Sequence, residues 1–167
     1  MKMKIMVVDD EPDVLLVGRT VLEKEGYEVI DAHNGEDCLE ILKTENPDLI
    51  LLDVMMPGID GFEVCKRIKN DTKTKDIPII ILSAKGGEED VLKGMSLGIA
   101  DYFPKPFSYD ILLGKIDSIF KTKKAEEELE RVTRRGLDRE IRMLSLKEQI
   151  KDLKSELEKL KGKRDED

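Results

Sequence analysis

Two kinds of pattern alternate along the first 120 residues. Short apolar runs occupy residues 5–8, 29–30, 49–52 and 79–82, with a weaker one around 100–103. Three of the five are continuously apolar rather than alternating, which predicts strands covered on both faces. Between them, apolar residues recur at helical spacing: Val14, Leu15, Gly18, Val21 and Leu22 in one segment, Leu39, Ile41 and Leu42 in the next. Pro12 suits a first helical turn and Gly26 a C-terminal stop, while Pro47 and Pro78 stand just before runs. Five β/α units in series predict an α/β fold, a doubly wound parallel sheet with helices on both faces. Right-handed crossovers bring the C-terminal ends of the strands to one edge, where such sheets bind ligands. Residues 69–76 read as a polar loop, and Gly86-Gly87 as a turn before a helix that begins near Glu88. Beyond Ser108 the helical period continues to about Leu160, with an interruption expected at Gly136.

Composition adds a division. Charged residues make up 40% of the chain, against about 25% in an average globular protein. Residues 1–120 hold 14 Lys and Arg against 24 Asp and Glu, a net charge of −10, and residues 121–167 hold 15 against 13, a net of +2. The acidic part argues against non-specific attraction to nucleic acid. The balanced part reads as a charge-laced helix. Cys38 and Cys65 lie inside amphipathic patterns and read as reduced, buried or half-buried thiols rather than a disulfide or a metal site. The N-terminal apolar run is too short for a signal peptide or a membrane span, and no later run is long enough, so the expected location is the cytoplasm.

Chemistry collects at the strand ends. Asp9 and Asp10 follow the first run, Asp53 the third, Ser83 and Ala84 the fourth, and Lys105-Pro106 the fifth. The predicted topology converges them although about a hundred residues separate the outermost pair. Carboxylates brought within ~4 Å repel by roughly 4 kcal/mol at an effective dielectric near 20, so such a cluster calls for a cation. Hard oxygen donors with positions left for water and phosphate suit Mg²⁺. A phosphoryl group on Asp53 would have the metal on one side and an ammonium and a hydroxyl for its remaining oxygens. Each residue has a plainer use alone: an Asp as helix cap, a Ser in a turn, a Lys in solvent. Independent turn residues have no reason to occupy four strand ends with complementary chemistry.

Over residues 3 to about 121 the sequence resembles the receiver domains of two-component response regulators. The matching stretches are Val7-Val8-Asp9-Asp10-Glu11-Pro12, the run from Leu51 through Asp53 and Met55 to Gly61, Ile81-Leu82-Ser83-Ala84, and Asp101-Tyr102-Phe103-Pro104-Lys105-Pro106-Phe107. The resemblance implies a flavodoxin-like, five-stranded sheet of order 2-1-3-4-5 over residues 1–121, with residues 122–167 as a helical extension. It implies an aspartyl-phosphate on Asp53, received from a phosphohistidine of a sensor histidine kinase or phosphotransfer protein. It further implies Mg²⁺ held by Asp10, Asp53, the Met55 backbone carbonyl and waters, with Asp9 close by, and Ser83 and Lys105 on the phosphoryl oxygens. The Lys105-Pro106 bond is expected to be cis. Such a chain is a phosphoacceptor with Mg²⁺-dependent self-phosphorylation and dephosphorylation, not an enzyme acting on a separate substrate.

The same resemblance implies a switch. The Ser83 hydroxyl moves toward the phosphoryl oxygens and Tyr102 turns inward, altering the face made by the fourth helix, fifth strand and fifth helix. Met55 and Lys85 occupy positions expected to tune phosphoryl lifetime.

In the tail, Met143, Leu146, Ile150, Leu153, Leu157 and Leu160 alternate spacings of three and four, a heptad seam with Met143, Ile150 and Leu157 at a and the leucines Leu146, Leu153 and Leu160 at d. Isoleucine at a with leucine at d favours a parallel dimer, in which Glu156 can reach Lys161 of the partner. Backwards, the register takes in Leu129 and Val132 but meets Gly136 and Arg139, and a second stripe of Leu137, Ile141 and Leu144 lies off it. The register therefore slips, or the helix breaks, near Gly136. A dimeric coiled coil and a helix folded back or awaiting another partner both suit this pattern. The arginines Arg131, Arg134, Arg135, Arg139 and Arg142 read as a solvated face, since no helix-turn-helix or interleaved aromatics accompany them.

Three functional readings follow: a phosphorylation-controlled module whose output is assembly or docking through the fifth helix and tail, a stand-alone phosphate acceptor or relay with a constitutive dimer clamp, and a regulator whose catalytic or DNA-binding output has been removed or lies on a partner. The chain itself is expected to form a homodimer through the tail or receiver face and to bind neither membrane nor nucleic acid, and the downstream partner is left open.

Overall fold

The structure, a computed structural model, describes residues 2–164, with side chains as far as Glu158. The seam position Leu160 and the charge partner Lys161 therefore lie outside the described side chains. The elements run β1 (Lys4–Val8), α1 (Pro12–Lys24), β2 (Glu28–Ala32), α2 (Gly35–Ile41), β3 (Leu49–Leu52), α3 (Gly61–Asn70), β4 (Ile79–Ser83), α4 (Glu88–Ser96), β5 (Asp101–Pro104) and α5 (Tyr109–Arg164). All strand pairings are parallel and the sheet order is β2-β1-β3-β4-β5, as the alternation and the resemblance predict. Residues 1–119 form one compact unit, and the chain from Phe120 onward forms a second.

The central strands explain their own sequences. Met6, Val8, Ile50, Leu52, Ile79 and Ile81 pack with Val64, Cys65 and Ile68 of α3 in one core cluster. The intervening residues Ile5, Val7, Leu49, Leu51 and Ile80 are buried as well, so both faces of the sheet are covered and no polar position interrupts the run. The outer strands are the ones the pattern showed weakly. β2 is longer than its apolar pair because Glu28 and Asp31, which flank Val29 and Ile30, belong to the strand, and Arg19 of α1 binds Asp31 at 2.8 Å. Of residues 69–76, predicted as a polar loop, Lys69 and Asn70 belong to α3, which runs on to Asn70, and the residues after them are tied down. Lys69 Nζ donates to the carbonyls of Lys75 and Ile77, both at 2.9 Å, and the buried Thr74 hydroxyl donates to Ile68 O at 2.8 Å.

The expectation at Gly136 needs correction. α5 is one helix from Tyr109 to Arg164 and does not break there. A mid-helix glycine costs only about 1 kcal/mol relative to alanine, and the Arg, Leu and Glu residues around it are good helix formers. Gly136 and Arg139 are then two non-apolar seam positions within one continuous helix. Among the described residues no helix is long and apolar enough to cross a membrane.

Candidate functional site

Parallel register brings the pocket together. Val8 pairs with Leu52, Leu52 with Ile81, and Ser83 with Pro104, so the residues just beyond these positions share one edge. Backbone hydrogen bonds carry the sheet into the pocket: Asp9 N donates to Ala32 O at 3.1 Å, Asp53 N to Val8 O at 3.0 Å, and Lys105 N to Ser83 O at 2.8 Å. The Lys105-Pro106 peptide is cis, as expected.

Asp9, Asp53 and Ser83 are buried, while Asp10 is exposed. Lys105 Nζ donates to Asp9 Oδ2 at 2.9 Å and stands 3.6 Å from Asp53 Oδ2. Asp9 does not cap α1. The N-cap is Glu11, without a side-chain cap bond, and Asp9 Oδ1 instead accepts from Glu11 N at 2.9 Å. Met55, expected through its carbonyl, reaches Asp53 through its amide, which donates to Oδ1 at 3.2 Å; its side chain is exposed. Burial pushes the Asp53 carboxyl above its ordinary pKa, Lys105 and the Met55 amide hold it down, and Asp9 adds to the rise. For Lys105, burial works to lower the pKa, but the hydrogen bond to Asp9 and the charge of Asp53 outweigh it and the net direction is up.

Ligand oxygens of Asp9, Asp10 and Asp53 lie within 4.8 Å of one another. Three carboxylates against the single ammonium of Lys105 leave an excess negative charge that a divalent cation matches, and a donor set made only of hard oxygens fits Mg²⁺.

Tyr102 is buried, and its hydroxyl donates to the Lys85 carbonyl. Ser83 Oγ accepts from Lys85 N at 3.1 Å, so Lys85 bridges Ser83 and Tyr102 through its backbone. A Cβ on Gly94 of α4 would come within 3.2 Å of the Tyr102 ring and 2.8 Å of Ile99. That glycine makes the room for the ring.

Three contributors were not read from the sequence. Gly61 lies directly under the loop that follows β3: a Cβ there would stand 2.2 Å from Asp53 O and 2.7 Å from Val54 Cα. Glu36 of α2 braces the far side of that loop, where Oε1 accepts from Ile59 N at 3.2 Å beside Gly58 at φ +82°. Gly94 is the third. The signal for Gly61 was its place at the head of α3, where Asp60 caps the helix by accepting from Glu63 N at 2.9 Å. Nothing in the sequence pattern singled out Glu36.

Residues 5–117 match the family model described as the response regulator receiver domain. The chain belongs to the response regulator receiver family. Solved receivers share the fold. A putative response regulator from Chloroflexus aurantiacus is 35% identical with a TM-score of 0.68, over 71% of this chain and 98% of that one. The BeF3-activated receiver domain of DrrB is 34% identical with a TM-score of 0.66, over 72% of this chain and 99% of that one. The chemotaxis protein CheY4 of Vibrio cholerae is 28% identical with a TM-score of 0.67, over 71% and 99%. Membership in the receiver family makes the phosphorelay the setting of this pocket, with histidine kinases or phosphotransfer proteins as the class of partner.

Proposed function

We propose that Asp53 is the phosphoacceptor of this receiver, that Asp9, Asp10 and Asp53 hold Mg²⁺, and that Lys105 neutralises the incoming phosphoryl group. The observation that carries the reading is the joint reach of Lys105 to Asp9 and Asp53 inside a three-carboxylate cluster. Each residue has a definable task. Asp53 attacks phosphorus with one carboxylate oxygen, forming the O–P bond as the donor's P–N or P–O bond breaks. The Met55 amide fixes Oδ1, which orients the carboxylate before reaction. Lys105 already faces Oδ2 and supplies countercharge where negative charge accumulates, and Ser83 Oγ offers a hydrogen bond to the same group. When bound, the metal supplies electrostatic stabilisation to the transferring phosphoryl oxygens. The product adds about one negative charge and three acceptor oxygens at this edge. Ser83 and Tyr102, joined through Lys85, are the residues placed to respond, and the tail of α5 serves self-association.

The test is covalent. Incubation with acetyl phosphate and Mg²⁺ is expected to add one phosphoryl group to the wild type, seen by intact mass, and none to Asp53→Asn. Chelation by EDTA is expected to abolish labelling of the wild type. Equal labelling of both proteins would sink the assignment of Asp53, and EDTA-insensitive labelling would sink the metal.

A further inference from the structure

The continuity of α5 through Gly136 turns the tail into a single heptad lattice. On it Leu129, Val132, Met143, Leu146, Ile150, Leu153 and Leu157 share one seam, each 49% exposed or more. An apolar stripe of this length on a soluble-type helix marks an association surface. Its occupant follows from the two seam positions that break the pattern and from the charges that flank the seam.

In a parallel pair each residue meets its own copy. Gly136 would then face Gly136, leaving an empty layer, and Arg139 would face Arg139 in the next layer, placing two like charges in the seam. Flanking contacts between g and the following e would join Arg135 to Glu140 and Glu156 to Lys161 favourably but Arg142 to Lys147 unfavourably. In an antiparallel pair centred between Met143 and Leu146, the layers become Met143 with Leu146, Arg139 with Ile150, Gly136 with Leu153, and Val132 with Leu157. Small then faces large, and the arginines are separated. The flanks pair g with g and e with e: Arg135 with Glu156, Glu140 with Lys147, Arg142 with Gln149, Thr133 with Lys154. No like charges meet among these. Sliding the antiparallel register by one heptad in one direction puts Arg142 opposite Arg142 and Glu140 opposite Glu140. Sliding it the other way puts Lys147 opposite Lys147.

We propose that the tail binds the tail of a second copy of this chain as an antiparallel pair in the Met143–Leu146 register. The inference rests on the reading of the tail as a self-association element and is independent of the phosphoacceptor assignment. It replaces the parallel expectation drawn from the a and d residues from Met143 onward and the Glu156–Lys161 contact, because these are outweighed by two unfavourable layers and the Arg142–Lys147 flank.

Two measurements on the full chain test it. Cys38 and Cys65 are buried, so a spin label can be directed to Lys124→Cys, an exposed site on the outer face of the helix. At 1.5 Å per residue the antiparallel register separates the two labels by about 60 Å, whereas a parallel pair brings them within about 20 Å. The second measurement is a charge exchange followed by sedimentation. Arg135→Glu is expected to weaken self-association about tenfold, since it makes two repulsive contacts with Glu156 per dimer. Arg135→Glu combined with Glu156→Arg is expected to restore the wild-type constant. A short label distance, a double variant weaker than the single one, or a monomer at all concentrations would each overturn the proposal. The monomer alone would also remove the self-association reading, and acetyl phosphate labelling of Asp53 would be untouched in every case.

Discussion

Ile81 and Leu144 are both aliphatic residues in well-formed elements, yet Ile81 in β4 is fully buried and Leu144 in α5 is 62% exposed. The contrast runs through the whole chain. In residues 1–119 the core side chains of the sheet are enclosed by neighbours distant in sequence, and the strand ends inherit that precision. Asp53 is fixed by its backbone bond to Val8, by the Met55 amide and by Gly61 beneath it. In the tail the helix is held by its own backbone and by short-range pairs such as Arg131 with Glu128 at 2.6 Å. Such pairs contribute a few tenths of a kcal/mol each. A pocket that must hold opposed charges needs the first kind of construction. A surface awaiting another molecule needs only the second.

The largest expected effect tests this contrast directly. Ile81→Ala removes a side chain enclosed on all sides and is expected to destabilise the receiver by about 4 kcal/mol, within the range for buried Ile truncations. Leu144→Ala, on the stripe away from the seam, is expected to change stability by no more than about 0.5 kcal/mol. Urea unfolding of the two variants measures both. A comparable loss from Leu144→Ala would mean that the tail is packed as tightly as the sheet.

How far the sequence announces this structure differs in the same way. β1, β3 and β4 are legible because burial on both faces leaves no place for a polar residue, and Asp9, Asp53, Ser83 and Lys105 are legible because parallel topology carries strand ends to one edge. β2 was seen only in part, since an edge strand admits Glu28 and Asp31. The brace from Glu36 to Ile59 was invisible: it is a contact between α2 and a loop 23 residues on, and no spacing encodes it. The break expected at Gly136 failed because one unfavourable propensity is small beside the many favourable ones that flank it.

Glycine to alanine sharpens the comparison, because the same methyl should act with opposite sign. At Gly61 it meets backbone atoms at 2.2 and 2.7 Å that cannot move without displacing the acceptor loop. Gly61→Ala is expected to cost about 3 kcal/mol and to lower phosphorylation of Asp53. At Gly136 an added Cβ has nothing within 4 Å, and Gly136→Ala is expected to stabilise the tail helix by up to about 1 kcal/mol. Thermal melts followed by circular dichroism report both, and a neutral Gly61→Ala would show that the loop is free to shift.

The smallest effect concerns alkaline pH. Cys38 lies fully enclosed on α2, and burial, with a lesser contribution from Asp37, pushes its thiol up to about 12. An unfolded cysteine titrates near 8.5. Between these values the unfolded chain has lost the thiol proton while the folded one keeps it, so ionisation favours unfolding as pH rises. The thiol's contribution is therefore intact below about pH 8.5 and declines by at most about 1.4 kcal/mol per pH unit above it. At pH 10 the loss from this residue is about 2 kcal/mol. Cys38→Ala carries its own packing cost at neutral pH, but it should flatten the decline between pH 8.5 and 10 relative to the wild type. Urea midpoints at a series of pH values separate the two contributions, because the packing cost is constant with pH and the ionisation term is not. Parallel curves for the two proteins would show that Cys38 reaches solvent in the native state, and that the enclosure distinguishing the sheet from the tail does not extend to α2.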